Sequence, residues 1–579
     1  MLDKRQPPFK SLADLIARRA TEQGEERGYL FLSDKGEEEA ALTFGELHRR
    51  ATAVAAYLRA MGNPGDRALL LFGAGLDFII AYFGCLLAGV IAVPMMLPRR
   101  NSSLGSSASI VANASPRFLM TNARVQTTRP DVIERFSAPL RYWVITEQVG
   151  SINEESARLP SIRSDDIAFL QYTSGSTSDP KGVMVTHGNL IENLEMMRQV
   201  LGNTRHSIYA SWIPLYHDMG LIANVLQSLY VGSLCVLLAP IAFMQRPLSW
   251  LRAIHRYRAQ VAGAPNFAFD LCVQRFRADQ MQDVDLSCWQ VAFNGAEPVR
   301  ADTIERFAAA FAPYGFDRRA MNPQYGMAEA TVMISAGPRL AGPVIRTVGL
   351  DSFRRNEIGE PAGEKDKHRL VGCGRKVIGE RLAIVDPATR CLLGPDRIGE
   401  IWVNGPHVAK GYWQNPDATS ATFDARIEGD GGDEHWLRTG DLGFMDESGE
   451  LFITGRAKDM LIVRGINYYP QDIENTVYNS HPVLRRHFGA VFSVPGESGE
   501  KLVLVQEVER TQRRGLDTEE IEASIREAVA NEHEIALDAI VLISPGEIPK
   551  TTSGKIQRSL TRAMWLANSF EPIGTAPIR

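Results

Sequence analysis

The chain has 579 residues, more than one compact domain usually holds, so a large domain followed by a smaller one is expected. Its composition, 45% hydrophobic and 23% charged, is that of a soluble globular protein. The net charge of −5 gives no electrostatic reason to expect nucleic acid as a partner.

The six cysteines are scattered without a Cys-x-x-Cys pair, which argues against a zinc site or a disulfide framework and fits a reducing cytoplasm. The N-terminus lacks the apolar core of a signal peptide. One apolar stretch, 68–97, mimics a membrane span, but glycines interrupt it. We interpret it as a strand (68–72), a helix (78–87) and a strand (90–93) of a buried parallel sheet, so no stable membrane insertion is expected.

The most informative stretch is 170–189, LQYTSGSTSDPKGVMVTHGN. An apolar run, 167–172, is predicted as a buried strand, and it leads into a loop of small hydroxyl and glycine residues. Such a loop offers backbone N–H groups and hydroxyls to an anion, and Lys181 adds a mobile positive charge. The sequence therefore predicts a site for the ATP triphosphate formed by Thr173, Ser174, Gly175, Ser176, Thr177 and Lys181.

Two alternatives apply to this loop. A Ser/Gly-rich stretch is usually a flexible connector, but this one lies between two strand-like runs and ends in Pro-Lys-Gly. A Walker-type loop requires Gly-Lys-Ser/Thr opening directly into a helix. Here Lys181 is followed by Gly182 and a predicted strand, 183–186, so the kinase-like interpretation is rejected.

Strand-like and helix-like runs alternate up to about residue 336, which predicts layered α/β subdomains. Examples are a helix over 189–201, starting at an asparagine cap, and a strand over 234–238. From residue 378, short strands separated by turn residues predict a β-rich subdomain. These strands are expected at 382–385, 399–403 and 451–454.

After about residue 456 the pattern returns to a compact α+β module, with helices predicted over 473–479 and 518–531. The segment 351–369 carries both charge signs and little periodicity, and it is long for a surface loop. Residues 349–353 match the short Gly-x-Asp-Ser pattern of phosphopantetheine carriers. No helical carrier module surrounds them, so modification of Ser352 is not expected.

The stretch 170–189 resembles the phosphate loop of the adenylate-forming enzymes. These include acyl-CoA synthetases, luciferases, peptide-synthetase adenylation domains and fatty acyl-AMP ligases. Ser178 departs from the glycine common there, although a small residue still fits. The resemblance extends from about residue 65 to residue 558. It implies an α/β fold with a large N-terminal adenylation domain, 1–457, and a small mobile α+β C-terminal domain, 458–579.

The stretch 322–331, NPQYGMAEAT, resembles the adenine and magnesium segment of this superfamily. The carboxylate of Glu329 is a hard oxygen ligand suited to Mg²⁺ carrying ATP phosphates. Tyr325 would stack on the adenine, with Gly326 allowing close approach and Met327 belonging to the same nucleotide site. A single Tyr-Gly-x-x-Glu alone would more often be a helix start.

Two further segments resemble parts of the nucleotide site. In 293–299, FNGAEPV, the backbone of Gly295 and Ala296 would contact the purine edge. In 436–443, WLRTGDLG, the resemblance assigns Asp441 to both ribose hydroxyls. The alternative for this aspartate is a turn-capping role.

The C-terminal motifs resemble the hinge and the catalytic lysine loop. In 455–474, Arg456 would reach the ribose or phosphate and Lys458 would be the hinge. In 548–558, IPKTTSGKIQR, a turn of small residues presents Lys555, which the resemblance assigns to the α-phosphate and the attacking carboxylate.

The stretch 211–221, SWIPLYHDMGL, resembles the wall of the acyl site. A lone histidine is more often structural, but His217 matches the family's gate beside the acyl carboxylate and is assigned a catalytic role. Met219 and its apolar neighbours suit an alkyl chain.

Ala328 and the form of 467–474, NYYPQDIE, resemble fatty acyl-AMP ligases more than acyl-CoA synthetases. The resemblance implies activation of a fatty acid with ATP and Mg²⁺ to fatty acyl-AMP and pyrophosphate. Transfer to the phosphopantetheine thiol of an acyl carrier protein, or of a polyketide or peptide synthase carrier domain, would follow. The ligases also carry an extra segment that limits rotation of the small domain, matched here to 351–369.

Two alternatives stay open at this point. An acyl-CoA synthetase would use the same first half-reaction and pass the acyl group to CoA. A non-catalytic ATP- or lipid-binding protein would keep only the fold, but intact Lys181, Glu329, Asp441 and Lys555 argue against it.

Overall fold

The computed structural model describes residues 7–98, 105–136, 142–149, 159–173, 180–429, 434–463, 466–496, 499–510, 516–551 and 555–573. The helices are α1 (Leu12–Gln23), α2 (Phe44–Met61), α3 (Asp77–Ala88), α4 (Gly105–Ala114), α5 (Ala123–Thr128), α6 (Pro130–Phe136), α7 (His187–Leu201), α8 (Asp218–Gly220), α9 (Gln227–Val231), α10 (Pro240–Gln245), α11 (Leu248–Tyr257), α12 (Asn266–Gln274), α13 (Ala301–Phe311), α14 (Leu350–Arg354), α15 (Pro416–Phe423), α16 (Pro470–Ser480), α17 (Thr518–His533) and α18 (Arg558–Leu566).

The strands are β1 (Arg27–Leu32), β2 (Glu38–Thr43), β3 (Arg67–Leu70), β4 (Ile91–Pro94), β5 (Phe118–Thr121), β6 (Tyr142–Ile145), β7 (Ile167–Thr173), β8 (Lys181–Thr186), β9 (Tyr209–Ser211), β10 (Cys235–Leu238), β11 (Val261–Ala264), β12 (Val291–Asn294), β13 (Met321–Tyr325), β14 (Ser335–Ala336), β15 (Ile345–Gly349), β16 (Lys367–Lys376), β17 (Arg381–Val385), β18 (Gly399–Asn404), β19 (Leu437–Met445), β20 (Glu450–Arg456), β21 (Leu461–Val463), β22 (Ile466–Tyr468), β23 (Leu484–Gly496), β24 (Gly499–Val508) and β25 (Ala539–Ile543).

Two large sheets form the N-terminal part of the molecule. One has the order β6-β5-β3-β4-β7-β8 and is parallel except for β8. The other runs β17-β18-β19-β20-β16-β14-β13-β12-β11-β9-β10-β1-β2, with β15 added beside β16. Its strands from β13 to β1 are parallel, and those from β14 to β17 are antiparallel. The predicted α/β fold class with a β-rich subdomain is therefore confirmed.

The apolar stretch 68–97 forms the strand–helix–strand unit that its glycines predict. Strands β3 and β4 pair in parallel, with Arg67 opposite Ile91, and α3 is buried along its length after Asp77. Both faces of this sheet are covered, so its strands are apolar throughout. None of the helices in the described ranges has the length and apolarity needed to cross a membrane.

Helix α7 begins earlier than its sequence pattern predicts. Its cap is Thr186, whose hydroxyl accepts a hydrogen bond from the Asn189 N–H, while the Asn189 side chain accepts one from the Thr186 N–H. This reciprocal capping box makes Asn189 the third helical residue, so the predicted asparagine cap is wrong. The Asn189 amide is also used elsewhere, since it donates to the carbonyl oxygens of Pro406 and Val408.

The predicted β-rich strands are present, but this part of the sheet starts earlier, at β15 and β16. Segment 351–369 accordingly contains most of α14 and the first residues of β16. Its charges obscure the strand pattern because they serve ion pairs. Arg369, for example, pairs with Asp302 at 3.2 Å and with Glu305.

The C-terminal part is built on the sheet β23-β24-β25, with α16 and α18 against β23 and α17 packed on α16. It meets the N-terminal part through polar contacts and through the apolar cluster that Tyr469 shares with Phe353. His487 Nε2 lies 3.3 Å from the buried carboxylate of Asp270, and Arg300 donates to the Gln471 carbonyl oxygen at 3.2 Å. These contacts bring the C-terminal residues over the carboxyl ends of the parallel strands.

Candidate active site

A cleft of about 960 Å³ opens at the carboxyl ends of the parallel strands β9, β11, β12 and β13. In open α/β sheets this edge is where ligands bind, and the volume suits a nucleotide with a second reactant. The predicted site residues that line the cleft are Thr173, Lys181, His217, Met219, Gly295, Ala296, Tyr325, Gly326, Met327, Glu329, Asp441, Arg456, Lys458 and Lys555. Ser174, Gly175, Ser176 and Thr177 lie outside the described residues.

Two antiparallel strands flank the predicted phosphate loop. Thr173 ends β7 and Lys181 begins β8, and the two residues face each other in the register of the pair. The Lys181 ammonium lies 4.7 Å from the centre of the Tyr412 ring, a cation–π contact that holds the lysine at the cleft wall. The strand that follows Lys181 confirms that a Walker-type helix is absent from this position.

Glu329 lies on a short 3₁₀ helix after β13, at the floor of the cleft, with 9% of its surface exposed. The Tyr412 hydroxyl donates to its Oε1 at 2.9 Å. Across the residues that the structure describes, no cluster of three His, Cys, Asp or Glu side chains could hold a metal alone. A single oriented carboxylate fits Mg²⁺, which keeps several waters and takes its other ligands from substrate phosphates.

Asp441 is held from two sides. The Tyr325 hydroxyl donates to its Oδ2 at 2.7 Å, and Arg456 forms an ion pair with it, with Nε 2.9 Å from Oδ1. Burial, and then the Asp441 charge, raise the pKa of Tyr325 far above its usual value, while the Asp441 charge raises the pKa of Arg456. An ionised carboxylate has further acceptor positions, so Asp441 can also accept ribose hydroxyls from the cleft.

The backbone of the nucleotide segments is tightly constrained. Ala296 has a φ of 66°, a left-handed conformation that costs free energy for a residue with a side chain. A Cβ added at Gly326 would lie 1.7 Å from the Val332 carbonyl oxygen. Glycine is therefore required there by backbone packing, whatever the approach of a ligand. The stacking of Tyr325 on adenine stays a prediction.

His217 lies beside an acidic residue that the sequence interpretation missed. Its Nδ1 is 2.7 Å from Asp218 Oδ1, which also accepts the Met219 N–H at 2.6 Å. Burial acts to raise the pKa of Asp218, but the charges of His217 and Lys555 and these hydrogen bonds outweigh it and lower that pKa. This polar pair lines the same cleft as a group of apolar residues, which includes Met197, Met219, Ala223, Val332 and Met333.

The C-terminal part contributes three lysines to the cleft, Lys458, Lys550 and Lys555. The pKa of Lys555 is lowered, first because the surrounding protein removes water from it and then because Arg456 repels it. The pKa of Lys458 is lowered by the same two causes. Asp218 and Asp441 act in the opposite direction on Lys555. Lys555 therefore lies within electrostatic reach of both Asp218 and Asp441.

Tyr412 and Glu297 are two further cleft residues that the sequence interpretation did not identify. Glu297 accepts the Phe267 N–H at 2.6 Å, which ties the purine-edge segment to α12. Tyr412 bridges Glu329 and Lys181, as described above. Neither stands in a motif whose spacing alone indicates a ligand.

Comparison with known proteins places this geometry in a family. The family described as AMP-binding enzyme matches residues 16–413, and that described as Disco-interacting protein 2-like, AMP domain, matches residues 458–574. The chain is 42% identical over 573 residues to the medium-chain-fatty-acid–[acyl-carrier-protein] ligase JamA of Moorena producens, covering 98% of this chain and 96% of that protein. It is 36% identical over 587 residues to the 4-hydroxyphenylalkanoate adenylyltransferase of Mycobacterium tuberculosis, covering 97% and 92%.

The solved structures agree with the sequence relatives. The fatty acyl-adenylate ligase of Legionella pneumophila, in complex with acyl adenylate and pyrophosphate, is 39% identical, with a TM-score of 0.76. The match covers 100% of this chain and 99% of that one. The chain therefore belongs to the AMP-binding family of adenylate-forming enzymes and groups with its fatty acyl-AMP ligases.

Proposed function

We propose that the protein activates a fatty acid with ATP to fatty acyl-AMP and pyrophosphate, and then transfers the acyl group to the phosphopantetheine thiol of an acyl carrier protein. The main support for this proposal is that a single cleft is lined by Lys181, Glu329, Asp441 and Lys555. The same cleft is also lined by His217 and by apolar residues that suit an alkyl chain. The names of the relatives, a fatty-acid–carrier-protein ligase and a fatty acyl-adenylate ligase, support the same reaction.

The first half-reaction needs positioned charge more than proton transfer. A fatty acid is already ionised at neutral pH, so its carboxylate attacks the α-phosphorus without a general base. A bond forms between a carboxylate oxygen and the α-phosphorus, and the bond to the pyrophosphate oxygen breaks. Lys181 and Lys555 stabilise the negative charge that spreads over the phosphate oxygens. Mg²⁺ held at Glu329 would add positive charge to the same phosphates when bound.

The remaining assignments have separate roles within this proposal. Asp441 and Arg456 would bind the ribose. The base would be bound by Tyr325 and by the backbone of Gly295 and Ala296. His217 would orient the acyl carboxylate. Lys458 would be the hinge between domains 1–457 and 458–579. The six free cysteines, five of them buried, fit a reducing cytoplasm.

The extra segment would restrain the C-terminal domain. Arg354 on α14 donates to the Glu532 carbonyl oxygen at 3.2 Å, and the Phe353 ring lies 5.0 Å from that of Tyr469. Both partners belong to the C-terminal part of the chain. Because CoA-dependent thioester formation would need that part to rotate, we propose that these contacts disfavour CoA as the acceptor.

The test is an acceptor comparison. Acyl-adenylate is formed with labelled fatty acids of several chain lengths and then chased with CoA or with a panel of phosphopantetheinylated carrier proteins. Rapid transfer to a carrier and slow transfer to CoA are expected. Efficient acyl-CoA formation would favour an acyl-CoA synthetase, whereas failure of ATP–pyrophosphate exchange with every fatty acid would favour a non-catalytic binding protein.

A further inference from the structure

Behind the cleft, His407 and Glu380 form a buried polar pair that the reaction described above does not use. Neither side chain exposes any surface to solvent, and His407 Nε2 lies 3.3 Å from Glu380 Oε2. The Val377 N–H donates to Glu380 Oε1 at 2.7 Å. A Cβ added at Gly405 would lie 2.9 Å from the His407 ring, so the backbone closes tightly over the pair. Burying such polar groups costs free energy, so their presence here indicates a structural or functional role.

His407 belongs to residues 405–413, here named the brace, which contacts the Glu329 turn through its backbone. The Thr331 hydroxyl donates to the His407 carbonyl oxygen at 2.6 Å. The Ala409 N–H donates to the Glu329 carbonyl oxygen at 2.9 Å. Thr331 has a φ of 68°, a strained conformation for a β-branched residue that persists only where the surroundings enforce it. The brace therefore fixes the turn that presents Glu329.

The far end of the brace reaches the phosphate strand. The Trp413 N–H donates to the Gly182 carbonyl oxygen in β8 at 2.7 Å. Tyr412 donates to the Glu329 carboxylate, and its ring faces the Lys181 ammonium. One short segment thus holds both the candidate magnesium ligand and the phosphate-binding lysine.

We propose that His407 and Glu380 are positioning residues for adenylation. They would anchor the brace to the connection between β16 and β17, and thereby hold the Glu329 carboxylate and Tyr412 in the geometry that binds Mg²⁺–ATP. Neither side chain touches the nucleotide, so their effect passes through the brace backbone. This inference rests on the assignment of Glu329 to Mg²⁺ in the proposed function.

The test compares two variants of the full-length protein. Glu380→Gln keeps the acceptor for the Val377 N–H and a polar contact with His407. Glu380→Leu removes both. Calorimetric titration with Mg²⁺–ATP, without fatty acid, measures nucleotide binding independently of turnover. We expect Glu380→Leu to raise the Kd about tenfold, as loss of an outer partner of a metal ligand does. Glu380→Gln should stay near wild type, and the KM for fatty acid should change little in both.

A matched control separates positioning from general loosening. Glu195 on α7 is also buried and paired, with Arg198 at 2.6 Å, but does not line the cleft. Glu195→Leu should lower the melting temperature without weakening Mg²⁺–ATP. An equal loss of binding in Glu195→Leu and Glu380→Leu would overturn the positioning role. Should Glu380→Leu fail to fold, His407→Asn, which is polar but too short to reach Glu380, is expected to weaken binding instead, and wild-type binding by it would overturn the role.

Glu329→Gln serves as the reference for the metal assignment. If it weakens Mg²⁺–ATP while Glu380→Leu binds like wild type, the positioning role alone is overturned. If Glu329→Gln itself binds Mg²⁺–ATP like wild type, the metal assignment fails, and the positioning role fails with it.

Discussion

The Tyr325 hydroxyl donates a 2.7 Å hydrogen bond to Asp441, a residue 116 positions further along the chain. Tyr325 ends a strand of the parallel part of the large sheet, whereas Asp441 lies in its antiparallel part. The bond therefore joins the two parts of the sheet within the cleft. It leaves Asp441 buried and oriented before any ligand arrives, which lowers the entropic cost of binding a ribose.

Asp441→Ala is expected to raise the KM for ATP about ten- to hundredfold, because hydrogen bonds to a charged group contribute about 1.5–3 kcal/mol. The KM for fatty acid should change far less, since the proposed role of the carboxylate is to bind the nucleotide. Steady-state kinetics with each substrate varied in turn measures both constants. Tyr325→Phe, which removes one support of the carboxylate but keeps the carboxylate itself, should have a smaller effect on ATP. Equal rises in both constants would indicate a structural capping role for Asp441.

Lys555→Ala should slow adenylation by about a hundred- to thousandfold, the usual cost of losing one charge-stabilising donor. Transfer from pre-formed acyl-adenylate should be much less affected. ATP–pyrophosphate exchange and single-turnover transfer measure the two steps separately. Lys501, an exposed residue of β24, does not line the cleft, so Lys501→Ala serves as the control. Normal exchange in Lys555→Ala would contradict the catalytic assignment.

Local patterns were sufficient to predict several elements of the N-terminal part. The apolar runs of β3, α3 and β4, and the strands β7 and β8 that flank the small-residue loop, are each encoded in consecutive residues. The cap of α7 was misplaced because Thr186 and Asn189 form one reciprocal pair, and a sequence shows two good capping residues without showing which begins the helix.

Contacts between distant residues could not be predicted in this way. Tyr412 donates a hydrogen bond to Glu329, 83 positions earlier in the chain. His407 lies 3.3 Å from Glu380, which belongs to the connection between β16 and β17. The charged segment 351–369 resembled a loop because its charged residues hide the alternating pattern of a strand. His368 and Arg369, at the start of β16, form ion pairs with residues of other elements. In each case the contact depends on the tertiary structure, which local residue propensities do not encode.

His187 makes the stability of the fold sensitive to acid. It is buried, and its Nδ1 accepts the Leu12 N–H at the start of α1, at 3.3 Å. Burial lowers its pKa from 6.5 to about 4. The folded state therefore binds fewer protons than the unfolded state between these values, so stability is complete above about pH 6.5 and is lost as pH falls towards 4.

His187→Asn should reduce this acid sensitivity, because an amide oxygen can still accept the Leu12 N–H but does not titrate. Between pH 7.5 and 5.5 the wild type should lose about 1.4 kcal/mol more than the variant. Urea unfolding of both proteins at the two pH values measures the difference. Other buried histidines, such as His533, are common to both proteins and cancel in the comparison. Parallel losses in the two proteins would show that His187 is not responsible.

The contacts of α14 predict how the acceptor preference can be changed. Deleting 351–369 would remove the start of β16 along with α14, so single substitutions are the sharper test. Arg354 donates to the Glu532 carbonyl oxygen, and its guanidinium lies 5.0 Å from the centre of the Tyr468 ring. Both contacts cross to the C-terminal part of the chain, so Arg354→Ala should loosen that part without touching the cleft.

Arg354→Ala combined with Phe353→Ala is therefore expected to leave ATP–pyrophosphate exchange within about twofold of wild type, because none of the residues assigned to adenylation changes. Acyl-CoA should appear at a rate well above the wild-type background, since less restraint opposes the rotation that CoA-dependent transfer requires. Thin-layer or mass-spectrometric detection of labelled acyl-CoA measures it. Arg355→Ala is a suitable control, because Arg355 lies beside the same helix but pairs with the exposed Glu357, at 3.8 Å, which belongs to the N-terminal part. If the double variant exchanges pyrophosphate normally and still forms no acyl-CoA, these contacts do not set the acceptor preference. A wild-type protein that already makes acyl-CoA efficiently would show that no such restraint operates.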